Sequence, residues 1–264
     1  MKNTHIQWCN HTWNTHIYCK KVSEGCKFCY MFRDMEEMGI DIKKVTKTSK
    51  STFYAPLDIV EPGIFFANSW SDFFIEEADA WRNDAWKIIK QTQDRHIYLL
   101  LTKRPERVLE CLPDDWGEGY PNVWIGVSVE NQNRTSRIDI LKDIPAAIRF
   151  VSFEPLLENI NLNESQIQTV DWAILGGESG NETGKYRYRP CEIDWFEHLI
   201  DQFEGAPTAI FVKQLGTHLA NQYYFLDDKG GNWNEWGAFP KLQRREHPID
   251  VTKYFKNSDK VTIM

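Results

Sequence analysis

Seven segments of mostly apolar residues recur up to Gly216, the first of them expected at residues 5–13, and several are followed by a stretch with helical periodicity. Residues 96–102 and 122–128 are clear examples. A strand that is apolar throughout must be buried on both faces, as in a parallel sheet covered by helices. The alternation therefore predicts an α/β fold built as a (β/α) barrel, complete or partial. An open, doubly wound sheet is the alternative.

The alternation of strands and helices stops after Gly216. Beyond it lie a turn signal at residues 227–231, which predicts a hairpin, and a charged stretch at residues 239–248. A length of 264 residues suits a single barrel. We therefore expect residues 1–217 to form a barrel domain that carries an N-terminal cysteine loop. Residues 218–264 are expected to form a small C-terminal appendage packed on the barrel, in which the last residues form a small β element or a tail.

Three cysteines lie within eleven residues near the start of the chain: Cys19, Cys26 and Cys29. In a reduced protein, thiols this close in sequence usually bind a metal ion or an iron–sulfur cluster. Three protein ligands leave one zinc position, or one iron of a cluster, open to another ligand. A disulfide with one spare thiol is the alternative. The other cysteines are isolated and expected to be buried: Cys9, Cys111 and Cys191.

Composition favours a reducing, cytoplasmic location. Six cysteines in 264 residues fall short of a disulfide scaffold, and no secretory signal or apolar run of about 20 residues is present, so no membrane is expected. The net charge of −7 argues against strong non-specific binding of nucleic acids, although a local basic site is compatible with it. Candidate cations for such a site are Lys103, Arg104, Arg107, Arg134, Arg137, Arg187 and Arg189.

Polar residues follow almost every predicted strand. In a parallel barrel the carboxyl ends of the strands meet at one rim, where active sites are built. The cysteine loop follows the first strand, so it is expected at the same rim. The candidate ligand-binding residues there are Ser69, Ser71 and Asp72, Ser128 and Glu130, Glu154, Gly177 and Glu178, and Lys213.

Three thiolates at the end of the first strand of a parallel barrel point to a [4Fe–4S] cluster with one open iron. That iron can bind the amino and carboxylate groups of S-adenosylmethionine. Electron transfer into the sulfonium then cleaves a carbon–sulfur bond and yields a carbon radical. Ser69, Ser71 and Asp72 suit the ammonium group of this cofactor, and Glu130 or Glu154 suits its ribose hydroxyls.

The glycine-rich segment at residues 176–180 lacks the lysine and the spacing of a phosphate-binding loop. It remains a strand end at which Gly177 and Glu178 permit close approach of a ligand to the backbone. Lys213 at the end of the last strand could bind an anion, pair with Glu178 or merely cap the sheet.

Two other classes of site fit the same residues. A structural zinc site would combine the three cysteines with one of His5, His11 and His16, and would belong to a non-catalytic zinc or iron–sulfur protein that works with a partner. A metal-dependent hydrolase or nuclease would use the rim carboxylates with a divalent ion. These carboxylates are Asp72, Glu130, Glu154 and Glu178.

Eight short motifs together resemble a phage-associated family of three-cysteine-motif proteins, largely of unknown function and similar to the radical SAM superfamily. In chain order they are residues 12–14, 19–30, 68–72, 101–105, 126–130, 152–156, 176–180 and 213–216. The resemblance implies a radical SAM-like barrel, a [4Fe–4S] cluster, S-adenosylmethionine and a dedicated partner protein. We expect a radical enzyme that acts on a small-molecule or nucleic-acid-linked substrate.

The chain departs from the common radical SAM pattern at two places. Most members space their cysteines C-x₃-C-x₂-C, whereas six residues separate Cys19 from Cys26. The Gly-Gly-Glu element that usually ends the second strand occurs here near the sixth. The amino-group role of that element is therefore not assigned to Glu178.

Overall fold

The computed structural model of the protein describes residues 4–258. The strands are β1 (His11–Trp13), β2 (His16–Ile17), β3 (Thr46–Lys47), β4 (Gly63–Ala67), β5 (His96–Thr102), β6 (Val123–Ser128), β7 (Ile148–Phe153), β8 (Trp172–Gly176) and β9 (Ala209–Gln214). The α-helices are α1 (Tyr30–Glu37), α2 (Lys50–Phe53), α3 (Ala55–Asp58), α4 (Asp79–Gln91), α5 (Val108–Cys111), α6 (Ser136–Lys142), α7 (Glu164–Thr169), α8 (Ile193–Gln202), α9 (Thr217–Gln222) and α10 (Val251–Ser258). None of the helices within these residues combines the length and the apolar character that a membrane crossing requires.

One seven-stranded sheet organises the fold. Its order is β1-β4-β5-β6-β7-β8-β9, and every neighbouring pair is parallel. A doubly wound sheet reverses its strand order at a switch point, and this sheet does not, so that alternative is wrong. The predicted α/β class is confirmed. The sheet curls into a half-barrel, with β1 and β9 as its two edges.

Both faces of the sheet carry an apolar core, which is why its strands are apolar throughout. Side chains such as Val151 and Leu175 pack with the helices on one face. The other face holds a smaller core centred on Trp172, whose ring lies 5.8 Å from that of Trp124 and 6.1 Å from that of Phe211. Each fully buried Val, Leu, Ile or Phe side chain of these two cores contributes about 1.5–3 kcal/mol to stability.

The C-terminal segment, which comprises residues 218–258 of the described chain, covers the open edge of β9. The Val212 amide donates to the carbonyl of Arg244 (2.8 Å), and the amide of Glu246 donates to the carbonyl of Ile210 (2.9 Å). The Gly231 carbonyl accepts from Gln7 Nε2 (3.2 Å) and from the side chain of Arg245 (2.6 Å). The Gly231 carbonyl therefore links the N-terminal residue Gln7 to the part of the C-terminal segment that lies along β9.

Three local predictions need correction. The first strand spans only His11–Trp13, because Trp8 packs into the smaller core instead of continuing the strand. The expected hairpin at residues 227–231 is a turn capped by Asp227 without flanking strands. Val251–Ser258 is a helix where a β element or a tail was expected. Residues 259–264 lie outside the described part of the chain, and the boundary between residues 217 and 218 stays a prediction.

A substitution at Leu242 tests whether the C-terminal segment folds together with the barrel. Leu242 is fully buried in the main core, so Leu242→Ala should lower the free energy of unfolding by about 2–5 kcal/mol. Urea denaturation followed by far-UV circular dichroism should show one transition, shifted as a whole. Leu226→Ala is the control, because Leu226 is 94% exposed and should change stability by less than about 0.5 kcal/mol. Two separate transitions, with only one of them shifted, would show an independent appendage.

Candidate functional site

The cysteine loop (residues 19–29) lies between the carboxyl end of the first strands and α1. Cys19 follows β2, Cys26 ends a short 3₁₀ turn, and Cys29 immediately precedes α1. All six cysteines are free, so the disulfide alternative is wrong. The expected burial of the three isolated ones is confirmed: Cys9, Cys111 and Cys191.

The segment after β4 holds the loop at both of its ends. The Tyr30 hydroxyl donates to the Ser69 carbonyl (2.5 Å), and Ser71 Oγ donates to the carbonyl of Tyr18 (2.7 Å). Tyr18 and Asn68 adopt left-handed backbone angles, with φ of 75° and 60°. Such conformations cost about 1–3 kcal/mol and persist only where neighbouring contacts enforce them. Ser69 and Ser71 thus fasten the cysteine loop to the sheet.

His16 has a structural role beneath the loop. It is buried, and its Nδ1 and Nε2 atoms lie 2.8 Å from Thr15 Oγ1 and 3.1 Å from the Asp72 carbonyl. Burial lowers the pKa of His16 to about 4, so the ring is neutral near pH 7. Both ring nitrogens are engaged, which leaves His16 no free nitrogen for a zinc ion.

Asp72 places a guanidinium group beside the first cysteine. Its carboxylate accepts hydrogen bonds from Thr102 Oγ1 (2.8 Å), the Lys103 amide (3.1 Å) and Arg104 Nη1 (3.0 Å). Arg104 Nη1 also lies 3.8 Å from Cys19 Sγ. Burial, reinforced by the charge of Asp72, raises the pKa of Cys19 to about 11 in spite of Arg104. The Cys19 thiol is therefore protonated near pH 7.

Glu130 is the most deeply buried carboxylate of the rim. Its side chain is inaccessible to solvent and accepts hydrogen bonds from Arg137 Nη1 (2.9 Å) and Ser23 Oγ (2.7 Å), with Lys103 Nζ at 3.4 Å. A Cβ atom at Gly25 would lie 2.5 Å from Glu130 Oε1, so only glycine fits at that point of the loop. The cysteine loop is thus seated directly on Glu130.

Cys26 is the most easily ionised of the three thiols. Burial opposes ionisation, but the charge of Lys103 and hydrogen bonds from the loop backbone lower the pKa of Cys26 below its ordinary value. Ser23 Oγ lies 3.7 Å from Cys26 Sγ. At Cys29, burial prevails over Lys103 and raises the pKa. Lys103 therefore acts on the Cys26 thiol and on the Glu130 carboxylate together.

The last three strands of the sheet carry a second ion pair. Lys213 Nζ lies 2.9 Å from Glu154 Oε1, and Ser152 Oγ lies 3.4 Å from Glu154 Oε2. Of the roles considered for Lys213, pairing with Glu178 is therefore not observed, because its partner is Glu154. Gly176 permits this arrangement, because a Cβ atom there would lie 2.3 Å from Glu154 Oε1. The side chains of Glu154 and Lys213 remain 15% and 26% exposed.

Glu178 fixes an arginine that reaches the cysteine loop. Its carboxylate accepts from the Arg189 amide (2.9 Å) and Nε (2.7 Å), and also from Nη2. Arg189 Nη1 donates to the Glu24 carbonyl (2.9 Å) within the loop. Gly177 does serve a close approach, but to backbone of the chain itself: a Cβ atom there would lie 2.1 Å from the Leu215 carbonyl oxygen.

Sequence reasoning missed several of these roles. It took Arg137 and Arg189 only as rim cations, whereas each neutralises a buried carboxylate. It gave Ser23 no contact with a carboxylate, and it assigned no role to Trp70, which lies between two serines that it did select. Ser128 contributes its carbonyl, which accepts from Arg137 Nη1 (2.6 Å).

Within residues 4–258, no group of three or more His, Cys, Asp or Glu side chains is arranged to hold a metal ion, so the ligand set of Cys19, Cys26 and Cys29 stays a prediction.

A family model described as a protein of unknown function, DUF5131, matches residues 3–257. The chain belongs to the DUF5131 family. Comparison with curated proteins and with solved structures gives no significant match for this DUF5131 protein. The family match spans the half-barrel, the cysteine loop and the C-terminal segment on β9.

The order of thiol reactivity tests the electrostatics of the loop. Because its pKa is lowered, Cys26 should react with iodoacetamide at pH 8 about tenfold faster than Cys19, and its labelling should persist to lower pH. Lys103→Gln should slow labelling at Cys26, whereas Lys87→Gln on the remote helix α4 should not. Time-resolved peptide mass spectrometry measures both rates. Faster labelling at Cys19 would contradict the assignment.

A neutral replacement of Glu130 tests whether the charge of its carboxylate stabilises the fold around the cysteine loop. Glu130→Gln leaves Lys103 and Arg137 without their shared counter-charge, so the free energy of unfolding at pH 7 should fall by about 3–5 kcal/mol.

The folded-state pKa of Glu130 is lowered, so its stabilising contribution is present above the ordinary carboxyl pKa of about 4.3 and is lost as the pH falls below it. Urea denaturation at pH 7 and pH 3.5 should therefore show a smaller difference between the two proteins at the lower pH. Glu110→Gln, at an exposed site, is the control. An equal difference at both pH values would refute this role of the carboxylate.

Proposed function

We propose that this DUF5131 protein is a cytoplasmic radical SAM-like enzyme that binds a [4Fe–4S] cluster through Cys19, Cys26 and Cys29. The supporting observation is the placement of three free thiols on one loop at the carboxyl edge of a curled parallel sheet, beside Lys103 and Arg104. Thiolates are the iron-binding form, and the donor set suits a cluster with one open iron.

A cluster held by Cys19, Cys26 and Cys29 would supply, once reduced, the electron that reductive cleavage of a carbon–sulfur bond in S-adenosylmethionine requires. Glu154 and Lys213 are the rim pair that we assign to this cofactor. Their side chains are 15% and 26% exposed, whereas those of Asp72 and Glu130 are 6% and 0% exposed and already hold protein groups. Lys213 suits the methionyl carboxylate, and Glu154 suits a ribose hydroxyl.

The remaining rim residues would support the loop. Asp72 holds Arg104 against Cys19, and Glu130 holds Ser23 and Lys103 next to Cys26. We do not propose the hydrolase alternative. Each of its carboxylates already pairs with a lysine or arginine, which weakens its ability to bind a divalent cation. These pairs are Asp72 with Arg104, Glu130 with Lys103 and Arg137, Glu154 with Lys213, and Glu178 with Arg189.

Anaerobic reconstitution with iron and sulfide tests the cluster. The protein should become brown and bind about four iron and four sulfide ions per chain. Cys26→Ala should lose both, whereas Cys191→Ala should retain them, because Cys191 is buried and isolated from the loop. A colourless protein that binds zinc instead would refute the proposal.

Reduction of the loaded protein tests the reaction. With dithionite and S-adenosylmethionine it should release 5′-deoxyadenosine or methylthioadenosine, detected by liquid chromatography. Glu154→Gln should lower the rate by about tenfold or more while leaving the iron content unchanged. A loaded protein that releases neither product would instead be a binding protein with a structural cluster, working with a partner protein.

A further inference from the structure

Aromatic and cationic side chains alternate along the cysteine loop and into α1. The ring of Tyr18 lies 5.5 Å from that of Phe32, and Lys21 Nζ lies 5.0 Å from the Phe32 ring centre. Lys21 Nζ also donates to the Lys27 carbonyl (2.9 Å), and Lys27 Nζ lies 5.1 Å from the Phe28 ring centre. We call these five residues the aromatic–cationic strip. They form one continuous series of contacts.

The two lysines of the strip differ from the other cations near the site. Lys103 and Arg189 each form an ion pair with a buried carboxylate. Lys21 and Lys27 are exposed, and within residues 4–258 neither forms an ion pair with a carboxylate. In a chain with a net charge of −7, two unneutralised charges therefore lie beside the candidate site. They provide local attraction for an anion.

Trp70 continues this surface on the neighbouring strand end. It is half-buried, and it is flanked by Ser69, which binds Tyr30, and Ser71, which binds Tyr18 of the strip. Within the described residues its indole N–H has no hydrogen-bond partner, and its ring contacts no other aromatic ring. Indoles usually have their N–H bonded and most of their ring area buried, and a partly free indole is typical of a recognition surface.

We propose that the aromatic–cationic strip and Trp70 bind single-stranded nucleic acid. Lys21 and Lys27 contact its phosphates, and a base stacks on Trp70, whose ring is not covered by another ring or a cation of the described residues. Single strands are bound by this combination of groups because every unpaired base has a free π face, whereas duplexes conceal theirs. The inference gives the substrate class of the proposed radical enzyme, and so rests on the proposed function. The strand would lie directly beside the three thiols.

Fluorescence anisotropy tests the binding with labelled single-stranded DNA and RNA of about 16 nucleotides. The full chain, measured with and without its cluster, should bind single strands more tightly than a duplex of the same length. Lys21→Glu with Lys27→Glu should weaken binding by more than tenfold and lower the slope of log affinity against log salt by about 1.4. Trp70→Ala should weaken binding by about tenfold with an unchanged salt slope. Lys43→Glu with Lys87→Glu, both exposed elsewhere, should change neither.

Four results would overturn the inference. They are no binding by the wild-type chain, unchanged binding by the Lys21 and Lys27 double variant, equal affinity for the duplex, and equally strong competition by a mononucleotide. Binding by the cluster-free protein requires neither iron nor S-adenosylmethionine, so the two proposals fail separately. A protein that cleaves S-adenosylmethionine but binds no strand keeps the proposed function and refutes this inference.

Discussion

The buried carboxylate of Glu130 is the contact on which the candidate site depends. A carboxylate without solvent is stable only when cations and hydrogen bonds replace its hydration, and Lys103, Arg137 and Ser23 supply them. These partners come from the end of β5, from α6 and from the cysteine loop. Because Gly25 packs directly on the same carboxylate, the position of the loop is set by a charge at the centre of the sheet edge.

The periodicity of the strands was enough to locate the rim, because a buried parallel strand places its first polar residues at its carboxyl end. Asp72, Glu130 and Glu154 all lie there, as that rule predicts. The rule does not say which cation each carboxylate meets. Lys213 pairs with Glu154 and not with Glu178, because Gly176 on the intervening strand has no Cβ atom and leaves room for the Glu154 side chain to cross. Such a pairing joins residues 59 positions apart in sequence, which no local pattern encodes.

The parts of the fold that sequence reasoning missed have related causes. The alternation around Trp8 resembles a strand, yet the Trp8 indole packs against Phe66 in the smaller core. That site exists only in the folded sheet, so no local pattern predicts it. Left-handed backbone at Tyr18 has no sequence signal, and at Asn68 the only signal is the weak preference of asparagine for that conformation. Trp70 was assigned no role because a sequence does not show that its indole N–H lacks a hydrogen-bond partner and its ring lacks an aromatic neighbour within the described residues. Short helices such as α2 and α7 span four and six residues, too few to show a period.

The smaller core centred on Trp172 also constrains the order in which parts of the protein can fold during synthesis. Trp172 and Phe211 belong to this core, and Ile249 and Tyr254 of the C-terminal segment pack against it. When β9 has left the ribosome, this apolar face still lacks those partners. The nascent half-barrel therefore presents exposed aromatic rings until the C-terminal segment emerges, and transiently exposed apolar surface of this kind is prone to aggregation. The smaller core is therefore completed only after residues 249–254 have been synthesised.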